Sequence, residues 1–286
     1  MTQNAPSLVS TQWLSDHLGH DDLRVLDASK HLPAAKRDPQ AEFEAVHIPG
    51  ALFLDLAGLK DTGSSVPDAI PNHAQFLARC SDLGVRRSDS IVLYDDSDVK
   101  TSARAWFTFR AHGFENVTIL DGGLAKWRAE GRPLESGVPS LVPRAFNKAD
   151  DTSPSGVRSK QDMLTNLEIK AEQVLDARAA DRVFGTGDDP VHGGQNGRIP
   201  GALNLPFGAV FEPDGTYKDA GSLRAAFEAA GVDWNRPVVT SCGSGVTASV
   251  LFFALHLAGK DDVALYDGSW AEWASDPDTP KAQGPE

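Results

Sequence analysis

Cysteine is scarce in this chain: Cys80 and Cys242 are the only two among 286 residues. They form no CxxC pair and no disulfide framework, which suits a reducing compartment and leaves any thiol chemistry to one residue. The eight histidines lack ligand spacing, so neither a metal site nor a cofactor is expected. No segment is apolar for long enough to span a bilayer, and residues 1–10 contain no basic residue and no apolar stretch of signal-peptide length. The expectation is a cytoplasmic protein with no membrane partner. Basic residues are also in deficit. Lys plus Arg number 27 against 40 Asp plus Glu, a net charge of -13 spread along the chain, which argues against nucleic acid or an anionic membrane as a partner.

Hydrophobic residues make up 41% of the chain, and its length suits about two ordinary domains, each with its own core. Residues 7–18 read as an opening helix capped by Ser10 or Thr11, and Leu23 to Asp27 as a strand. After a polar loop, helical spacing over His73 to Leu83 ends at Gly84, a strand follows at Ile91 to Tyr94, a helix runs from about Ser102 to His112, and Val117 to Leu120 is another strand. Strands alternating with helices imply a parallel sheet covered on both faces.

The second half repeats the first. Val25-Leu26-Asp27-Ala28 recurs 149 positions later as Val174-Leu175-Asp176-Ala177, and Ile48-Pro49-Gly50-Ala51 recurs 151 positions later as Ile199-Pro200-Gly201-Ala202. Gly113, Asp121, Gly122 and Trp127 recur at an offset of 146 as Gly259, Asp267, Gly268 and Trp273. A period near half the chain signals a duplicated domain. Residues 136–159, rich in proline and small polar residues, read as the linker. The domains are placed at residues 5–137 and 154–286.

The chemistry is expected at Val238 to Ala248. Val238 to Thr240 read as a buried strand, and Val246 to Ala258 as an apolar helix stopped by Gly259. Cys242 then lies on a glycine-containing turn, where backbone N–H groups and the helix dipole favour a thiolate. At an offset of 146 the first half carries Asp96, so that domain is expected to be catalytically silent. Cys80, at an apolar helix position, reads as an inert buried thiol.

Three chemistries fit such a turn. Gly243-Ser244-Gly245-Val246-Thr247-Ala248 matches the dinucleotide fingerprint G-x-G-x-x-A, with Asp267 as ribose acid, but only 19 residues follow Asp267, too few for a full dinucleotide domain. A cysteine phosphatase needs an arginine six positions on, where Ala248 stands. Sulfur transfer needs only a thiolate to carry the sulfur and N–H donors to stabilise the added charge.

Over nearly its whole length the chain resembles the tandem-domain rhodanese-type sulfurtransferases. The resemblance rests on His47-Ile48-Pro49-Gly50-Ala51, on Arg198 to Ala202, and on the loop C-G-S-G-V-T-A, which is similar to that of 3-mercaptopyruvate sulfurtransferases. Thiosulfate enzymes usually place basic residues after the cysteine, whereas Gly243 and Ser244 are neutral. The resemblance implies two tandem rhodanese-like α/β domains, each a parallel sheet flanked by helices, with the second catalytic. Cys242 is then the nucleophile, 3-mercaptopyruvate the donor with thiosulfate as runner-up, and a thiol, thioredoxin or cyanide the acceptor. A persulfide carrier serving a partner protein is the alternative outside enzymes.

It further implies that Arg182 binds the substrate carboxylate, unless it is a solvated surface arginine. The family's second arginine is replaced by Val191 and His192, with His192 as a possible donor. Gly243, Gly245, Val246 and Thr247 line the loop, and Thr247 reads equally as a helix cap. Ser244, His47 and Asp38 are implied as a proton relay, with packing as the other reading of His47.

Overall fold

The computed structural model describes residues 6–140, 143–144, 154–189, 191 and 194–284. The chain divides into two compact units: residues 1–62, 70–155 and 212–217 form the first, and residues 63–69, 156–211 and 218–286 the second.

The first unit runs β1 (Leu8–Val9), α1 (Thr11–His17), β2 (Leu23–Asp27), α2 (Pro39–Ala45), β3 (Leu52–Phe53), α3 (His73–Asp82), β4 (Ser90–Tyr94), α4 (Ser102–Ala111), β5 (Val117–Leu120) and α5 (Gly123–Ala129). Its five parallel strands are ordered β1-β5-β4-β2-β3. Every residue of β5, and all of β4 after Ser90, is buried, as expected of strands covered on both faces. Helix α3 starts where Asn72 and Gln75 form a reciprocal capping box, and ends before Gly84 at φ 64°, a conformation glycine adopts without strain. Leu14, Phe43, Ile48, Tyr94 and Trp127 share one core.

The second unit runs β6 (Val157–Arg158), α6 (Lys160–Ile169), β7 (Gln173–Asp176), α7 (Ala180–Phe184), β8 (Leu203–Asn204), α8 (Ala220–Ala229), β9 (Val238–Ser241), α9 (Val246–Leu257), β10 (Val263–Tyr266) and α10 (Ser269–Ser275). Its strand order, β6-β10-β9-β7-β8, repeats that of the first unit, and all pairs are again parallel. Met163, Tyr266, Trp270 and Trp273 anchor its core. The duplication extends to single bonds: the Trp127 indole N–H donates to Pro133 O, and that of Trp273 to Pro280 O.

Three expectations need correction. Residues 7–18 are not all helix, because Leu8 and Val9 pair with Ile119 and Leu120 before Ser10 caps α1. A two-residue edge strand is too short to show periodicity. The linker read over 136–159 ends earlier, since Val157 and Arg158 form β6 and Ser159 caps α6. The residue matching Cys242 is Asp95, not Asp96. Asp27 pairs in register with Tyr94, as Asp176 pairs with Ser241, so the residues that follow correspond. The constant offset fails because the turn spans Asp95–Thr101 in the first unit and only Cys242–Gly245 in the second, while α9 is longer than α4.

Candidate active site

Cys242 leaves the end of β9 and is 1% exposed. Helix α9, with most of its residues buried, begins at Val246 after Gly245, whose φ of 78° gives the chain its sharp entry without a side-chain cap. The first N–H groups of α10 fix the turn from the opposite side: Trp270 N–H donates to Cys242 O (2.9 Å) and Ala271 N–H to Gly243 O (2.8 Å). In a trans peptide the C=O and the following N–H point in opposite directions. The N–H groups of Gly243 and Ser244 therefore face away from α10. Among the described residues no acceptor takes the N–H of Gly243, Ser244, Val246 or Thr247. These donors stand at the positive end of the α9 dipole beside a buried thiol, an arrangement that stabilises an anion.

The first unit shows the same position with its donors consumed. The Asp95 carboxylate accepts from Ser97 N–H (2.9 Å) and from Ser102 N–H (2.8 Å) at the head of α4. Where one turn supplies its own anion, the other leaves donors for an incoming one.

Ser269 completes the thiol's surroundings. Its backbone is left-handed at φ 49°, matching Gly123 at φ 58° in the first unit. Its hydroxyl donates to Tyr266 O (2.8 Å), accepts from Cys242 N–H (3.1 Å) and lies 4.0 Å from Cys242 Sγ. Sequence reading passed over Ser269, although the change from Asp121-Gly122-Gly123 to Asp267-Gly268-Ser269 was visible in the repeat.

A second cluster stands in the loop after β7. Arg182 Nε and Nη2 donate to the two oxygens of Asp189 (3.1 and 2.7 Å), and Arg178 Nη1 is 3.6 Å from the same buried carboxylate. Arg178 also clamps Asp176, donates to Gly197 O (2.6 Å) and lies 4.7 Å over the Trp270 ring. Contacts therefore run continuously from the thiol turn through Trp270 and Arg178 to Asp189 and Arg182. Arg182 is neither a freely solvated surface arginine nor an idle cation, and Arg178, which carries this connection, was not singled out from sequence.

Residues 10–130 and 159–276 each match the rhodanese-like domain family. The chain belongs to that family. A relative named 3-mercaptopyruvate sulfurtransferase from Mus musculus is 40% identical, over 93% of this chain and 91% of its own. One from Arabidopsis thaliana named thiosulfate/3-mercaptopyruvate sulfurtransferase 1, mitochondrial, is 38% identical over 96% of this chain and 77% of its own. The crystal structure of SseA from Escherichia coli, described with the rhodanese fold of the 3-mercaptopyruvate enzymes, matches with a TM-score of 0.83 at 34% identity, covering 93% of this chain and 99% of SseA. The two parallel five-stranded sheets, each flanked by helices, are tandem rhodanese-like domains.

Of the residues singled out from sequence, Cys242, Gly243, Ser244, Gly245, Val246 and Thr247 share one rhodanese-like turn. Thr247 is not its cap: Gly245 holds that place, without a side-chain bond, and Thr247 is the second residue of α9. Asp38 and His47 belong to the first unit, each with local partners. Asp38 caps α2, accepting from Gln40 and Ala41 N–H (3.1 Å each). His47 is 1% exposed, donates from Nδ1 to Phe43 O (2.7 Å), stacks on the Phe43 ring and turns Nε2 toward Glu135 at 4.0 Å. His192 lies outside the described residues, while Val191 is exposed. Cys80 is buried, and burial pushes its thiol far above the ordinary range, so it stays protonated.

Proposed function

We propose that the protein is a sulfurtransferase that moves a sulfane sulfur from 3-mercaptopyruvate through a Cys242 persulfide to a thiol, thioredoxin or cyanide acceptor. The carrying observation is the contrast between twin turns: a thiol with unclaimed N–H donors at the head of α9, and a carboxylate that uses those donors itself at the head of α4.

In this reading the Cys242 thiolate attacks the donor's sulfur and an S–S bond forms. The donor's C–S bond breaks, its electron pair stays on carbon as the enolate of pyruvate, and a proton from the thiol or solvent completes pyruvate. The persulfide's outer sulfur carries the negative charge that the N–H groups of Gly243, Ser244, Val246 and Thr247 stabilise. Ser244, half-buried on the turn, is assigned the hydrogen bond to the reacting sulfur. Arg182, oriented by Asp189, is assigned the donor's carboxylate, with His192 as second donor. The acceptor then attacks the outer sulfur and releases the Cys242 thiolate.

The neutral residues after Cys242 favour mercaptopyruvate, with one carboxylate, over dianionic thiosulfate. Two unpaired cysteines support a cytoplasmic, reducing setting, which cell fractionation tests directly. The deciding experiment compares wild type and Cys242→Ser with 3-mercaptopyruvate and thiosulfate, following product release and the intact mass for one added sulfur. Faster turnover of mercaptopyruvate, with a dead and unmodified serine variant, supports the reading. Faster turnover of thiosulfate replaces the donor, transfer only to one protein acceptor marks a carrier, and no added sulfur from either donor overturns the reading.

A further inference from the structure

The first strand after each unit's opening helix ends on a buried aspartate, and the residue two places on decides what that aspartate meets. In the second unit Asp176 holds Arg178: Nε lies 3.1 and 3.2 Å from the two carboxylate oxygens, Nη2 lies 2.7 Å from one, and the Arg178 N–H donates to Oδ1 at 2.9 Å. Trp270 covers the guanidinium face at 4.7 Å. The backbone of the first unit is the same to the bond, with Ser29 N–H donating to Asp27 Oδ1 at 2.9 Å. Yet the side chains differ. Ser29 stands in the place of Arg178, and Leu124, whose N–H donates to Asp95 O as Trp270 N–H does to Cys242 O, stands in the place of the indole.

The space these smaller residues leave is not filled. A cavity of about 280 Å³ opens there, with Asp27, Ser29, Leu124 and Phe43 among its walls. Asp27 is 2% exposed. Its hydrogen bonds come from Ser29 and Tyr94, neither of which brings a positive charge, and burial raises its carboxyl to about 6. The charged groups on the remaining walls answer one another. Arg37 is gripped by Glu42 (2.8 Å twice) and reaches Asp96 at 3.1 Å, and Arg128 reaches Asp96 at 3.4 Å. Two cations face two carboxylates, so Asp27 sets the sign of the cavity.

We propose that this cavity is a binding site for a small guanidinium-bearing molecule, whose planar cation forks onto Asp27 as Arg178 forks onto Asp176. A carboxylate oxygen has lone pairs to spare beyond the bonds already made, and a guanidinium supplies parallel N–H donors at the matching spacing. The apolar walls accept its flat face and stem. An ammonium ion satisfies the charge but not the fork.

The test is calorimetric titration of the full chain with methylguanidinium, methylammonium and urea, on wild type, Ser29→Arg and Asp27→Asn. Wild type should take up one methylguanidinium per chain, methylammonium about tenfold more weakly, and urea not at all. Ser29→Arg restores the second unit's arrangement within the chain. It should fold at least as stably as wild type, by thermal unfolding, and give no saturable heat. Asp27→Asn, which keeps the shape and removes the charge, should also be silent. Saturable binding that persists in Ser29→Arg, equal binding of urea, or no saturable binding to wild type overturns the proposal.

Discussion

His112, at the end of α4, makes the first unit sensitive to acid in a way whose size follows from the structure. Its Nε2 is 3.1 Å from Pro71 O, its Nδ1 is 3.0 Å from His73 Nδ1, and its ring lies flat on Phe76. Only an N–H satisfies a carbonyl, so Nε2 carries the proton and Nδ1 accepts one from His73, whose Nε2 in turn faces Arg87 Nη2 at 3.3 Å. A second proton on His112 sets two N–H groups against each other beside a guanidinium. Burial foremost, then His73 and Arg87, lower its pKa from 6.5 to about 4. Above pH 6.5 both the folded and unfolded states are neutral here and nothing is lost. As pH falls below that value the unfolded chain takes up a proton the folded one refuses, and stability drops by about 3 kcal/mol by pH 4. Urea unfolding of wild type and His112→Phe between pH 8 and pH 4 isolates this leg. The phenylalanine variant keeps the stacking, should cost roughly 1–3 kcal/mol at pH 8 through the lost hydrogen bonds, and should close that gap as pH falls. A gap that stays constant from pH 7 to pH 4 refutes the lowered pKa, since His112 then takes up its proton as readily folded as unfolded.

Ser269→Ala strands the Cys242 N–H and should cost about 1–3 kcal/mol together with most of the sulfur loading. Ser269→Gly should recover roughly 1 kcal/mol of that by relieving the left-handed backbone, yet not the loading; a fully active glycine variant shows that the hydroxyl has no part. Asp189→Asn leaves Arg178 and Arg182 without their shared carboxylate and should destabilise the second unit by about 3 kcal/mol, with a rise in KM for mercaptopyruvate. Asp38→Ala should remove about 1 kcal/mol from α2, whereas Asp38→Asn keeps the cap; activity lost in the asparagine variant marks a role beyond capping.

Much of this was legible in the sequence because the physics was local. Helix α3 announces itself by apolar spacing and Gly84, α9 by an apolar run closed at Gly259, and the thiol turn by its place between a buried strand and that helix. The repeat and the alternation of elements pointed to two α/β domains with parallel sheets, and the resemblance carried by His47 to Ala51, Arg198 to Ala202 and the C-G-S-G-V-T-A loop made them rhodanese-like. What escaped depended on contacts distant in sequence or on small changes of length. Two-residue strands such as β1 and β6 exist only through their pairing with β5 and β10. The match of Asp95 to Cys242 needs strand register, since the loop and helix lengths differ in opposite senses and nearly cancel. Ser269 acts on the backbone of Cys242 and Tyr266, and Arg178 joins Asp176, Gly197, Trp270 and Asp189, partners that only folding brings together. Arg182 was noticed as an arginine in a loop, but the carboxylate that engages it lies seven positions on and declares itself only once the loop has folded back.

The two turns also bear on whether the first unit could be given a thiol centre of its own. A single Asp95→Cys exchange puts a sulfur at the right strand end but keeps a loop that runs on to Thr101, so helix α4 still begins too far along for its amides to converge as those of α9 do. Exchanging a cysteine takes one codon change, whereas building a working centre at the first unit's turn also takes a deletion of the right size in the right place. Divergence between the duplicated halves thus acts as a ratchet: a library of point substitutions in the first unit should yield no second reactive cysteine, and only one that also varies loop length can.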